Sequence, residues 1–111
     1  WGQLSLDTLI SSDQPLEQAS EVIEAVAAEF RADASWSPTV IDGPRLLGVE
    51  SLAGGGITLR LLARTAPNRQ DDVARELRSR IHKALAARGI RMDAVQRVEL
   101  TGQPSPGHPL H

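Results

Sequence analysis

Cysteine and tyrosine are absent from this chain of 111 residues, and its aromatic side chains are two tryptophans and one phenylalanine. Without thiols there is neither a disulfide frame nor a thiolate metal site. A basic excess is missing too: 12 Lys and Arg stand against 14 Asp and Glu, a formal net charge of −2, which argues against a nucleic-acid binder. No run approaches the roughly 18–20 apolar residues that cross a bilayer, and no signal-peptide pattern opens the chain. Histidine is limited to His82, His108 and His111. No H-x-x-x-H or H-E-x-x-H pair or acidic cation loop is therefore present to hold a metal. A serine nucleophile would have only His82 as its base, and there is no G-x-S-x-G turn. The consecutive glycines Gly54, Gly55 and Gly56 lack G-x-G-x-x-G spacing and lead into a strand pattern, so they do not read as a phosphate loop. No catalytic residue, cofactor site or metal ligand emerges, and an enzyme is not expected.

What remains is ordinary globular material, 41% hydrophobic and 23% charged, at the length of one domain. It is organised around residues 46–62, L-L-G-V-E-S-L-A-G-G-G-I-T-L-R-L-L, two apolar runs joined by a glycine-bearing hairpin turn. In the second run Ile57, Leu59, Leu61 and Ala63 alternate with Thr58, Arg60, Leu62 and Arg64, a strand with one face on a core. A one-residue slip would drive Arg60 and Arg64 inward, which fixes the register. The first run alternates more weakly, with Leu47, Val49 and Ser51 opposite Leu46, Gly48, Glu50 and Leu52.

Residues 3–10 form another strand, with Leu4, Leu6, Thr8 and Ile10 on one face and Ser5 and Asp7 on the other. Ser11, Ser12 and Asp13 supply a turn and an N-cap, with Pro15 in the first helical turn. A helix is expected over 15–32, its stripe made by Leu16, Ala19, Ile23, Val26, Ala27 and Phe30. Glu17, Gln18, Glu21, Glu24 and Glu29 form a solvated acidic face. Residues 34–45 read as a loop, with 39–41 extended and Trp36 capping one end of the core.

The second helix spans about 69–88 and buries Val73, Ala74, Leu77, Ile81, Ala84 and Leu85. Asp71 and Asp72 begin it, Lys83 and Arg88 lie near its end, and Gly89 is its C′ residue. Arg75, Arg78, Arg80, Lys83, Arg88 and Arg91 make it basic, but no aromatics interleave to stack bases. Residues 95–101 are a last strand. The remainder, 102–111 (G-Q-P-S-P-G-H-P-L-H), is expected to be a disordered tail after a domain over 1–101. Because it opens at Trp1 with no initiator methionine, the chain is expected to be a piece of a longer polypeptide.

The order β-α-β-β-α-β predicts an α+β, ferredoxin-like sandwich: an antiparallel sheet with both helices on one face. The first and third strands are then central neighbours, and Asp7 meets Arg60 across them on the helix-free face. That face also carries Ser5, Leu9, Thr58, Leu62 and Arg64. Apolar Leu9 and Leu62, with Arg60 and Arg64, make it a candidate contact surface.

Three linked segments carry a resemblance. Residues 44–62 (P-R-L-L-G-V-E-S-L-A-G-G-G-I-T-L-R-L-L) are followed by A-R-T-A-P-N-R-Q and then by V-A-R-E-L-R-S-R-I-H-K-A-L-A-A-R-G-I. Together they resemble the C-terminal α/β domain of the small-conductance mechanosensitive channel family, with its V-L-G-V-E-S-L-x-x-S-G-I-x-L-R hairpin, K-T-x-P-G-x-Q turn and R-E-L-R-R-R-I-K helix. Gln96-Arg97-Val98 matches part of the family's P-Q-R-T-V strand. Val95 replaces its proline, and Asn68 replaces the turn glycine.

The resemblance implies a non-catalytic domain on the cytoplasmic side of a membrane channel that opens under osmotic shock. The domain itself would be soluble, with the membrane reached only through upstream segments. Neighbouring subunits of a homo-oligomer, usually a heptamer, would form a cage that filters solutes, with no cofactor and no nucleic acid. Leu9, Arg60, Leu62 and Arg64 are the candidate subunit contacts. The competing reading is a stand-alone ferredoxin-like module that senses a small ligand near Gly54 to Gly56.

Overall fold

A computed structural model describes residues 1–98. The elements run β1 (Gly2–Ile10), α1 (Leu16–Arg31), β2 (Val40–Ser51), β3 (Ile57–Thr65), α2 (Gln70–Ala87) and β4 (Ala94–Arg97). All pairings are antiparallel, and the sheet order is β2-β3-β1-β4. This is the ferredoxin-like arrangement expected from the element order.

Alternation builds the centre of the sheet. β1 and β3 pair without interruption from Gly2 opposite Thr65 to Ile10 opposite Ile57. Leu4, Leu6, Ile10, Leu59 and Leu61 therefore share one face with Thr8, each at most 2% exposed. Both helices lay their stripes on that face. Ala19, Val22, Ile23, Val26, Ala27 and Phe30 of α1 join Val73, Ala74, Leu77, Ile81 and Leu85 of α2 in a single core with the strand residues. Each large side chain so buried contributes roughly 1.5–3 kcal/mol of transfer free energy. Val22 belongs to this stripe although the sequence reading omitted it. Trp36 covers one end of the core as expected, its ring 5.4 Å from that of Phe30.

Four local features differ from the sequence expectations. First, β2 begins at Val40, well inside the expected loop. Gly43, at φ +84, lets the chain press onto β3, where a Cβ would lie 2.7 Å from the Leu62 carbonyl oxygen. Pairing with β3 shifts register between Val40 and Asp42, Asp42 and Arg45, and Leu46 and Gly48. These bulges erase the two-residue period that would have marked the strand.

Second, α1 has Pro15 as its N-cap, with no side-chain cap. The expected cap, Asp13, accepts from Ser11 Oγ at 2.7 Å and Gln14 Nε2 at 3.2 Å and pairs with Arg91 at 3.1 Å. Its carboxylate is committed to the turn and to the connection after α2. Third, the last turn of α2 holds no basic residue: Lys83 lies one turn earlier and Arg88 is the C-cap residue. Gly89 follows in the left-handed region, at φ +69. Fourth, β4 starts one residue early and ends at Arg97, with the Val98 N–H donating to Ser5 O at 3.0 Å. The expected continuation to Thr101 and the tail over 102–111 lie outside the described residues.

Candidate interaction surface

The odd-numbered side chains of β1 and the even-numbered ones of β3 meet on the face without helices. The register sets Gln3 opposite Arg64, Ser5 opposite Leu62, Asp7 opposite Arg60 and Leu9 opposite Thr58. All four residues singled out from sequence, Leu9, Arg60, Leu62 and Arg64, thus lie on one surface of two adjacent central strands.

Their states differ. Asp7 is 5% exposed although no helix covers it. It accepts two charge-assisted bonds from Arg60, Nε to Oδ1 at 2.7 Å and Nη2 to Oδ2 at 2.8 Å. That hydrogen-bonded carboxylate raises the Arg60 guanidinium pKa above its ordinary value. Nη1 of Arg60 has no hydrogen-bond partner among the described residues, leaving a donor directed away from the pair. Leu9 and Leu62 are half-buried, and Arg64 is exposed with its guanidinium 4.4 Å from the centre of the Trp1 ring. The surface therefore has a neutralised ionic centre, apolar flanks and a cation laid on an aromatic ring.

β2 extends this surface to the edge of the sheet. Leu47 is 56% exposed there, whereas Ile41, 58% exposed, borders Phe30 and Trp36 on the helix side, and Val49, 53% exposed, stands opposite the core residue Leu59. Leu47 and Val49, with Gly48, Glu50, Thr58 and Arg60, line a shallow groove of about 310 Å³. A second hollow of about 230 Å³ runs from Asp42 and Arg45 to Leu62 and Arg64. Sequence reading missed the exposure of these β2 residues, because it follows from the bulges and from the edge position. The weak alternation of 46–52 was the signal available.

The other residues weighed for chemistry are dispersed. His82 lies exposed on α2. Gly54 and Gly55 turn the hairpin at φ +91 and +93, closed by Leu52 N–H to Gly56 O at 2.8 Å and Gly55 N–H to Leu52 O at 3.0 Å. Among the described residues no group of three or more His, Cys, Asp or Glu is placed to hold a metal ion, and no helix is long and apolar enough to cross a membrane.

Residues 6–92 match the family model described as "Mechanosensitive ion channel MscS, C-terminal". The matched span runs from the middle of β1 past the end of α2 and contains all four candidate contact residues. No curated protein matches the chain.

Proposed function

Because the chain belongs to the family of mechanosensitive ion channel MscS C-terminal domains, we propose that it is a non-catalytic wall element of a homo-oligomeric channel. In this reading it lies on the cytoplasmic side of the membrane, in a ring of subunits, seven by resemblance, that encloses a solute-filtering cage. The helix-free face and the adjoining β2 edge make the subunit contact. Leu9, Leu62 and Arg64 supply its contact area, and Arg60, paired with the Asp7 carboxylate, offers Nη1 to a neighbouring acceptor.

One observation carries this reading. Half-buried Leu9 and Leu62 lie on the helix-free face, and more than half-exposed Leu47 lines the two hollows beside Arg60 and beside Leu62 and Arg64. Isolated apolar side chains on a surface are common, but a contiguous group marks a place where another protein part sits.

The test is made in the full-length channel chain with Leu62→Glu and Arg64→Glu together, followed by native mass measurement and hypo-osmotic survival. Loss of the oligomer, with the circular dichroism of this domain unchanged, is the expected outcome. An oligomer of undiminished mass would remove the surface from the assembly.

A further inference from the structure

Where α1 ends and β2 begins, the helix side of the domain carries a hollow of about 210 Å³. Phe30, Arg31, Trp36, Ile41, Asp42 and Gly43 border it. None of the four candidate contact residues does.

The cation of this hollow is held in place with a binding edge to spare. Arg31 Nη1 donates to Pro44 O at 2.6 Å, which fixes the guanidinium. Its Nε and Nη2, the edge with which Arg60 grips Asp7, have no partner among the described residues. That edge fits a carboxylate through two parallel hydrogen bonds. The charge balance agrees. Asp42, at the rim, is already met by Arg45 at 3.3 Å, whereas Arg31 forms no ion pair among the described residues.

Beside the cation stand an aromatic and an aliphatic side chain. Trp36 is half-buried against Phe30, their ring centres 5.4 Å apart. Its carbonyl accepts from the N–H groups of Thr39 at 2.9 Å and Val40 at 3.0 Å, which closes the loop onto the start of β2. Ile41 is 58% exposed and lies outside the core. It sits at the register shift between Val40 and Asp42, and bulges re-aim side chains in this way beside binding sites.

We infer that this hollow binds a small monocarboxylate with an apolar body. The carboxylate lies on the Nε–Nη2 edge of Arg31, and the body lies against Trp36 and Ile41. The volume is below the roughly 300–1,000 Å³ of sites for drug-sized molecules, which restricts the ligand to a short chain or a single ring. One uncompensated cation favours one negative charge, and Asp42 at the rim disfavours a second. Because the guanidinium and the loop are already fixed, binding loses little entropy in ordering them. The site lies within a single copy, so the inference is independent of the assembly reading above.

The test is calorimetric titration of the purified full-length chain with benzoate and, separately, with pentanoate. Each should bind at one site per chain with a roughly millimolar dissociation constant. Acetate, which lacks the body, and benzyl alcohol, which lacks the carboxylate, should bind at least about tenfold more weakly. Arg31→Gln and Ile41→Ser, both at exposed positions, should each weaken benzoate about tenfold with circular dichroism unchanged. Arg31→Lys keeps the charge without the fork and should not restore binding. Glu24→Gln, elsewhere on α1, should bind as the parent does.

Absence of binding by both acids to the folded chain would overturn the inference, and so would acetate binding as tightly as benzoate. Undiminished binding by Arg31→Gln or by Ile41→Ser would move the site elsewhere and overturn it too. None of these outcomes alters the native mass of the oligomer, which tests the assembly reading separately.

Discussion

At the scale of single residues, the Asp7–Arg60 pair is asymmetric in what it costs to break. Replacing Arg60 by Ala strands a carboxylate that is only 5% exposed, which should cost about 3 kcal/mol. Replacing Asp7 by Ala leaves a guanidinium side chain that is 29% exposed and reaches water, for about 1–2 kcal/mol. Urea denaturation of both variants decides this, and equal losses would contradict the burial argument.

Asn68 stands at φ +64, a left-handed conformation that asparagine tolerates better than most residues. Asn68→Gly should change stability by no more than about 0.5 kcal/mol, and Asn68→Val should lose about 1–2 kcal/mol.

Acid sensitivity centres on Asp33. The Ser35 hydroxyl first, then the Arg80 guanidinium and the Ser35 N–H, hold its carboxyl down at about 2 against an ordinary 3.8. The unfolded chain binds that proton more readily than the folded one, so the associated stability is present above pH 3.8 and is lost as pH falls toward 2. Thermal midpoints of Asp33→Asn should therefore fall less steeply than those of the parent across that window.

Among the elements, the hairpin between β2 and β3 shows how position, and not composition, distinguishes three neighbouring glycines. A Cβ on Gly54 meets nothing within 4 Å, although its φ of +91 strains any other residue. A Cβ on Gly56 would lie 2.6 Å from the Ile10 carbonyl oxygen, so the end of β1 would have to separate from the turn. Gly54→Ala should cost about 1 kcal/mol, and Gly56→Ala should cost more and speed amide exchange at the β1–β3 end. Thermal unfolding with hydrogen exchange checks the order. β2 has a different logic: its bulges and edge position leave Leu47 and Val49 outside the core, so these residues contribute little to holding the strand in place.

For the molecule as a whole, that separation of folding from contact is measurable. Leu47→Asp with Val49→Asp should keep monomer stability within about 0.5 kcal/mol, as surface changes do. In the assembling chain, the parent's melting temperature should rise with protein concentration, because association stabilises the folded state by mass action. The double variant should lose that dependence. A concentration dependence that survives the change would move the contact elsewhere on the domain.

Sequence alone determined the element order, both helical stripes and the β1–β3 register, down to Asp7 meeting Arg60. Each of these follows from a strict period against a buried face, where a slip would place arginine in the core. The convergence of Leu9, Arg60, Leu62 and Arg64 on one face followed from the same register. Tertiary structure decided the rest. It set the start of β2 at Val40, the exposure of Ile41, Leu47 and Val49, and the diversion of Asp13 from capping α1 to binding Arg91. These depend on long-range partners: β3 imposes the bulges on β2, Arg91 takes up the Asp13 carboxylate, and no local periodicity encodes either.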